Sequence, residues 1–338
     1  MYDDIPVNAA TIEKRLADLW REEQQEEDRA VTKAALWNVI AHTWTSEQHA
    51  FATQVLGCAS AAVPQRTIVI RADPRGSGAI QSYISANCHL IGAGRQVCSE
   101  EVAIIASGER VHHVPPLVSA LLLPDMPVAV WWVGDLPSEQ HKYVETLLDP
   151  ADRLIVDSAH FNSAADFELV SRIAQRTTTA PADLNWARID EWRAATAALF
   201  DPPAMRERLG EIARVRIVHG SGDSTAGARS EAVLYLAWLI VQTGEDVAFE
   251  LTSAGSDAGI ASIDLDFDDG STASIRVERE RGVVISSGGG MEIAVDCVTR
   301  AGTHELDELI VRLLKRPESD LVYLKSLPIA RAIAARAA

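Results

Sequence analysis

The sequence lacks any apolar run approaching the ~20 residues that a membrane-spanning helix needs. It has no Gly-x-Ser-x-Gly elbow for a serine nucleophile, no Lys-containing P-loop and no Gly-x-Gly-x-x-Gly fingerprint. Cysteine is scarce, with four scattered residues in 338, so no dense disulfide framework builds the fold. Positive charge is in deficit too. With 31 Lys and Arg against 48 Asp and Glu, the formal charge is −17. That balance argues against nucleic acid or an anionic membrane as the main partner, because either needs clustered cations. The start, Met1-Tyr-Asp-Asp, is acidic where a secretory signal is basic. The expectation is a cytoplasmic protein with no metal and no cofactor.

What is present is core-forming material. The chain is 47% hydrophobic and 23% charged, which excludes disorder and fibrous repeats and leaves room for two ordinary domains. Asn8 can cap a helix with Ile12, Leu16, Leu19 and Trp20 at helical spacing. Residues 34–41 read as a buried strand, Ser46 caps a helix to about Ala61, and Arg66–Arg71 is the next strand. This strand-helix-strand unit implies parallel pairing. Runs at 79–90 and 95–107, joined by Gly92-Ala-Gly94, predict a β-hairpin. A helix over 117–123, the Trp131-Trp132 strand, a strand over 152–157 and helices over 163–175 and 183–200 follow.

A strand over 213–219 enters Gly220–Gly227 and a helix from about Ala228 to Thr243. From Val247 the texture changes to short alternating runs (248–252, 261–267, 272–278, 282–287, 292–297) separated by glycine-rich turns, which predicts an antiparallel meander. Helices over 305–315 and after Pro328 close the chain. The fold class expected is α/β: a mixed, largely parallel sheet flanked by helices over residues 1–205. A smaller α+β domain with the antiparallel meander follows over 206–338.

Few groups suggest chemistry. Gly220, Ser221, Gly222, Ser224 and Thr225 form a glycine-rich turn before a helix and are an anion-site candidate, but the spacing fits no nucleotide motif and Asp223 opposes a phosphate. Asp157, Ser158 and His160 crowd one strand end, where neighbours rarely converge into a triad. His112 and His113 have no third ligand at metal spacing. If the hairpin folds symmetrically about Ala93, Cys88 and Cys98 stand opposite each other; free buried thiols are favoured over a reversible bond. Trp131 and Trp132 point to opposite faces of their strand, so both are buried in a doubly covered sheet or one is exposed near the strand end. Trp186, Arg188, Trp192 and Arg193 form either an internal network or an exposed interaction patch.

In chain order, Asn38, Pro64-x-Arg66, Cys98-Ser99-Glu100, Pro124-Asp125-x-Pro127, Trp131-Trp132, Val156-Asp157-Ser158, Trp186-x-Arg188, Trp192-Arg193, Phe200-Asp201 and the Trp238 helix resemble the glucose-6-phosphate dehydrogenase assembly proteins called OpcA. The resemblance covers most of residues 1–245 and, more loosely, the meander; Met126 stands where the family more often has Leu. It implies a non-catalytic protein that binds glucose-6-phosphate dehydrogenase, assists its assembly and activates it. The contact residues it suggests are Asp125, Trp131, Trp132, Asp157, Ser158, Arg188, Trp192 and Arg193. Thiol responsiveness is described for some members. The alternative is a sugar-phosphate-binding protein or enzyme using the Gly220–Gly227 turn and the strand ends.

Overall fold

The computed structural model describes residues 7–26, 31–91, 95–136, 142–220, 225–244, 247–254, 259–278, 283–289, 296–300 and 305–336. Two compact units alternate along the chain. The first is Met1–Val156 with Thr178–Ala182 and Glu305–Glu318; the second is Asp157–Thr177, Asp183–His304 and Ser319–Ala338. A single border near 205 therefore does not describe the division. Two excursions explain why: a short strand at Ala180–Asp183 extends the first sheet, and the helix Leu306–Leu314 packs on the helix Ser46–Ala59.

The first sheet contains β1 (Val31–Lys33), β2 (Trp37–Thr43), β3 (Gln65–Asp73), β4 (Ile80–Ile91), β5 (Arg95–Ser107), β6 (Val128–Trp132), β7 (Arg153–Val156) and β8 (Ala180–Asp183). Its order is β1-β5-β3-β2-β6-β7-β8, with β4 on the far side of β5. β2 pairs in parallel with β3 and β6, as do β3 with β5 and β6 with β7. Every residue of β2, β6 and β7 is buried, which is how unbroken apolar runs read in a sheet covered on both faces. The crossover helix Ser46–Ala59 starts one residue earlier in its cap than Ser46 suggested. Thr45 accepts from Gln48 N and Gln48 answers with its side chain, a complete capping box.

A buried charge cluster ties the helix Ala9–Glu26 to this sheet. Arg66 donates to Glu100 (2.8 and 2.5 Å), Glu13 (2.5 Å) and Leu121 O (2.7 Å). Glu100 also accepts from Trp20 Nε1 at 2.5 Å and pairs with Lys33. Burial alone would push the Glu100 carboxyl up, but Lys33, Arg66 and Trp20 hold it below the usual carboxylate range. The Pro64-x-Arg66 and Cys98-Ser99-Glu100 segments thus meet in one ion pair.

The hairpin has the predicted register, with Cys88 opposite Cys98. Ser107 N donates to Ala79 O (2.8 Å), so residues 79 and 107 are a hydrogen-bonded pair and the cysteines, an odd number of steps on, form the closer non-hydrogen-bonded type. Their Cα atoms are 4.0 Å apart and the sulfurs are bonded. The preference for free thiols is overturned, because this pair type brings the two side chains within bonding reach.

The second unit holds β9 (Ile212–His219), β10 (Ala248–Ser253), β11 (Ile260–Phe267), β12 (Thr272–Glu278), β13 (Val283–Gly289) and β14 (Asp296–Arg300), in the order β10-β9-β11-β12-β13-β14. β9 and β11 to β14 form an antiparallel meander. β10 does not join it from the inside. It follows the helix Thr225–Thr243 and pairs with β9 in parallel, because a helical crossover returns the chain in the same direction.

Candidate functional site

The run β5-β3-β2-β6-β7-β8 has the strand order of doubly wound dinucleotide-binding sheets, which hold ligands beyond the carboxyl ends of the two central strands. Here those strands are β2 and β6, and their ends carry His42 and Trp132 as register partners. The two rings stack at 4.0 Å with 15° between planes. Trp44 and Tyr143 close the cluster edge-on, 4.5 and 5.5 Å from His42. Both ring nitrogens of His42 and the Tyr143 hydroxyl are buried without a hydrogen-bond partner. Burial pushes the imidazole down to about 3 and the phenol up, so both are neutral.

The turn after β2 is Thr43-Trp44-Thr45. A pyrophosphate needs glycine there for close backbone approach, and an indole stands in its place. Gly134, just beyond β6, has φ +85°, and a Cβ on it would lie 2.5 Å from Gln48 Nε2, so the loop after β6 closes on the first turn of the helix Ser46–Ala59. On the opposite sheet face Trp131 meets Phe51 at 6.2 Å. The two tryptophans do occupy opposite faces, but they are only 2% and 1% exposed. The reading of an accessible aromatic strand end is corrected: side chains from the helices and loops cover both.

In the second unit, Arg188 grips Asp157 through two parallel bonds of 2.7 and 2.8 Å, while Asp157 Oδ1 also accepts from Ala159 N. The fully buried Asp183 accepts from Ser158 N (3.0 Å), Asn185 N (2.9 Å) and the Tyr323 hydroxyl (3.4 Å). Burial, and next the charge of Asp157, raise its carboxyl to about 6. Ser158 is buried whereas His160 is exposed, and Asp157 is committed to Arg188, so these three do not form a triad.

The expected continuous helix over 183–200 breaks at Ile189 into Leu184–Arg188 and Asp190–Leu199. Trp192 is buried. Trp186 donates to Asp320 Oδ2 at 2.8 Å, and Arg193 lies 3.8 Å over its ring while bonding Asp190 and Trp186 O. The Trp/Arg cluster is therefore an internal network and not an exposed patch. Alternation of bulky and charged residues marked it, and the break at Ile189 sets Trp186 and Trp192 on separate helices.

Of the expected contact residues, Asp125 alone is exposed. It is the single non-glycine residue with positive φ (62°) among those described. The fully buried Asn38 fixes this turn: its Nδ2 donates to Leu123 O (3.0 Å) and Met126 O (3.3 Å), and its Oδ1 accepts from Leu123 N (2.8 Å). Pro124 and Pro127 restrict the flanks.

The glycine-rich turn is only partly visible. Gly220 N donates to Gly259 O (2.9 Å), so that amide is spent within the fold. Ser221, Gly222, Ser224 and the Thr225 side chain lie outside the described residues. His112 and His113 are exposed on a short 3₁₀ turn. No group of three His, Cys, Asp or Glu among the described residues could hold a metal ion, and no described helix is long and apolar enough to cross a membrane.

Two family models match the chain. One is described as glucose-6-phosphate dehydrogenase subunit N-terminal domain, over residues 58–172, and the other as its C-terminal domain, over 179–327. Curated relatives named "Putative OxPP cycle protein OpcA" include one from Synechocystis sp., 30% identical over 182 residues, which are 53% of this chain and 37% of that protein. Another, from Nostoc punctiforme, is 28% identical over 162 residues, 47% of this chain and 34% of that one. The matches span well under half the relatives' own length. Among solved structures, UDP-N-acetylglucosamine 3-dehydrogenase GnnA from Acidithiobacillus ferrooxidans has a TM-score of 0.47 at 9% identity, covering 89% of this chain and 97% of that one. The 3-ketoreductase KijD10 from Actinomadura kijaniata has a TM-score of 0.48 at 10% identity, covering 86% and 94%. Nothing about activity follows from likeness at that level.

Proposed function

Because the chain belongs to the glucose-6-phosphate dehydrogenase assembly family (OpcA), we propose that it is a non-catalytic assembly factor and allosteric activator. It binds glucose-6-phosphate dehydrogenase and serves the oxidative pentose phosphate pathway from the cytoplasm. Family membership carries this reading. The aromatic packing at the β2 and β6 ends supports it, since indole and imidazole rings fill the place where a sheet of this order would receive a ligand. So does the pairing of Asp157 with Arg188, which leaves neither free for acid–base work.

An activator of this kind binds the active form of its target more tightly than the inactive form, and a tenfold shift needs about 1.4 kcal/mol of difference. The rigid, exposed Asp125 turn is the contact we favour, directed at a basic surface on the enzyme. The other seven resemblance-derived residues act behind the surface by fixing its shape. The test mixes this protein with its host's glucose-6-phosphate dehydrogenase, following co-elution and the apparent substrate constant. Co-elution with a lowered constant is expected. Absence of both removes the reading.

A further inference from the structure

The first sheet ends in two unlike edges. One is β8, four residues containing Pro181, which is short and cannot offer a full row of donors. The other is β4, twelve residues in continuous register with β5 and without a bulge. Residues 80–91 contain no Lys, Arg, Asp, Glu, Pro or Gly, so the usual devices that blunt an exposed edge are missing.

Strand geometry says which groups face outward. Because 79 and 107 are a hydrogen-bonded pair, Ser85, Asn87 and His89 turn their N–H and C=O toward β5. Ile84, Ala86, Cys88 and Leu90 turn theirs away from it. No strand pairs with that side among the described residues. Leu90 is 63% exposed.

We propose that this edge is a self-association surface, pairing β4 with β4 of a second copy in antiparallel fashion about a two-fold axis near Asn87. That axis sets Ala86 opposite Cys88 of the other copy and Ile84 opposite Leu90, all outward-facing positions, giving about eight backbone bonds. The occupant follows from charge. Across a two-fold, any charged side chain near the axis faces its own like charge, which is destabilising. A chain of net charge −17 carries a repulsion between its copies, and the uncharged stretch from Ile84 to Leu90 is where they can meet; Ser82, further along the strand, is fully buried and lies outside this stretch.

Sedimentation velocity or light scattering over a concentration series tests this. The wild-type chain should show a monomer–dimer equilibrium. Ala86→Pro removes an outward N–H while leaving the β5 ladder made by Ser85 and Asn87, and Leu90→Lys sets a charge against the apolar Ile84 of the second copy. Each should weaken dimerisation tenfold or more with an unchanged far-ultraviolet spectrum, whereas Leu321→Lys, at an exposed apolar residue of the second unit, should not. A wild-type chain that stays monomeric to roughly 100 µM, or a dimer indifferent to both edge variants, overturns the proposal. So does a monomer whose co-elution with glucose-6-phosphate dehydrogenase is lost in Ala86→Pro, since the enzyme would then occupy the edge.

Discussion

His42 lies flat on Trp132 at the register position where β2 and β6 pair, with ring centroids 4.0 Å apart and neither imidazole nitrogen hydrogen-bonded. Burial holds the folded-state imidazole near 3 against 6.5 in the unfolded chain. The unfolded chain therefore binds the extra proton between those values. The stability this group contributes is complete above pH 6.5 and is lost as pH falls toward 3, about 2 kcal/mol of it by pH 5. His42→Phe keeps the aromatic stack and removes the titration. Its melting temperature should fall less than wild type between pH 7.5 and 5. Equal losses would show that His42 does not sense acid.

Trp132 lies in the core and Arg193 packs on Trp186, so substitutions at both are expected to act first through the fold. Trp132→Ala opens a cavity between sheet and helix and should cost about 3–5 kcal/mol. Arg193→Ala, which loses the stack over Trp186 at 3.8 Å, should cost about 1–2 kcal/mol. Chemical denaturation measures both. Weakened partner binding at unchanged stability would return these residues to the contact surface.

The sequence made some of this legible because the deciding physics is local. Periodicity and Asn8 announced the first helix, whose Ile12, Leu16 and Trp20 are buried and whose Thr11 N bonds Asn8 Oδ1. A hairpin's register is fixed by its own turn, so the opposition of Cys88 and Cys98 could be computed from residue numbers. Long-range choices could not. Whether Trp131 and Trp132 are covered depends on Phe51 for the one and on His42 and Trp44 for the other, all far off in sequence, and His42 carried no local signal at all. Asn38 stood out only through resemblance, because its three bonds reach residues 85 and 88 positions away. A contiguous domain border was unreachable for the same reason: the pairing of β8 and the docking of Leu306–Leu314 are tertiary events.

In the second unit Asp183 works against His42. Its folded carboxyl is raised from 3.8 to about 6, so the stability it contributes is complete below pH 3.8 and is lost as pH rises through 6, amounting to about 3 kcal/mol. Asp183→Asn keeps an oxygen for Ser158 N and Asn185 N. The variant should be more stable than wild type at pH 7.5, with the gain shrinking to little at pH 4. A loss at both pH values would mean the charge is needed, through Arg188, more than burial opposes it.

Asp125 separates fold from function most cleanly. At φ 62° an aspartate carries a modest backbone strain that glycine does not, so Asp125→Gly should leave the melting temperature level or slightly raised, by no more than about 1 kcal/mol in stability. The Asn38 bonds go to the backbone of Leu123 and Met126 and survive the change. What disappears is one exposed carboxylate. If that carboxylate meets a basic surface of glucose-6-phosphate dehydrogenase, affinity should drop several-fold to tenfold, and wild-type affinity should weaken steeply with added salt while the variant's does so less. Asp125→Asn should behave like the glycine variant, which distinguishes lost charge from altered turn geometry. Unchanged affinity and salt dependence in both variants would move the contact away from this turn.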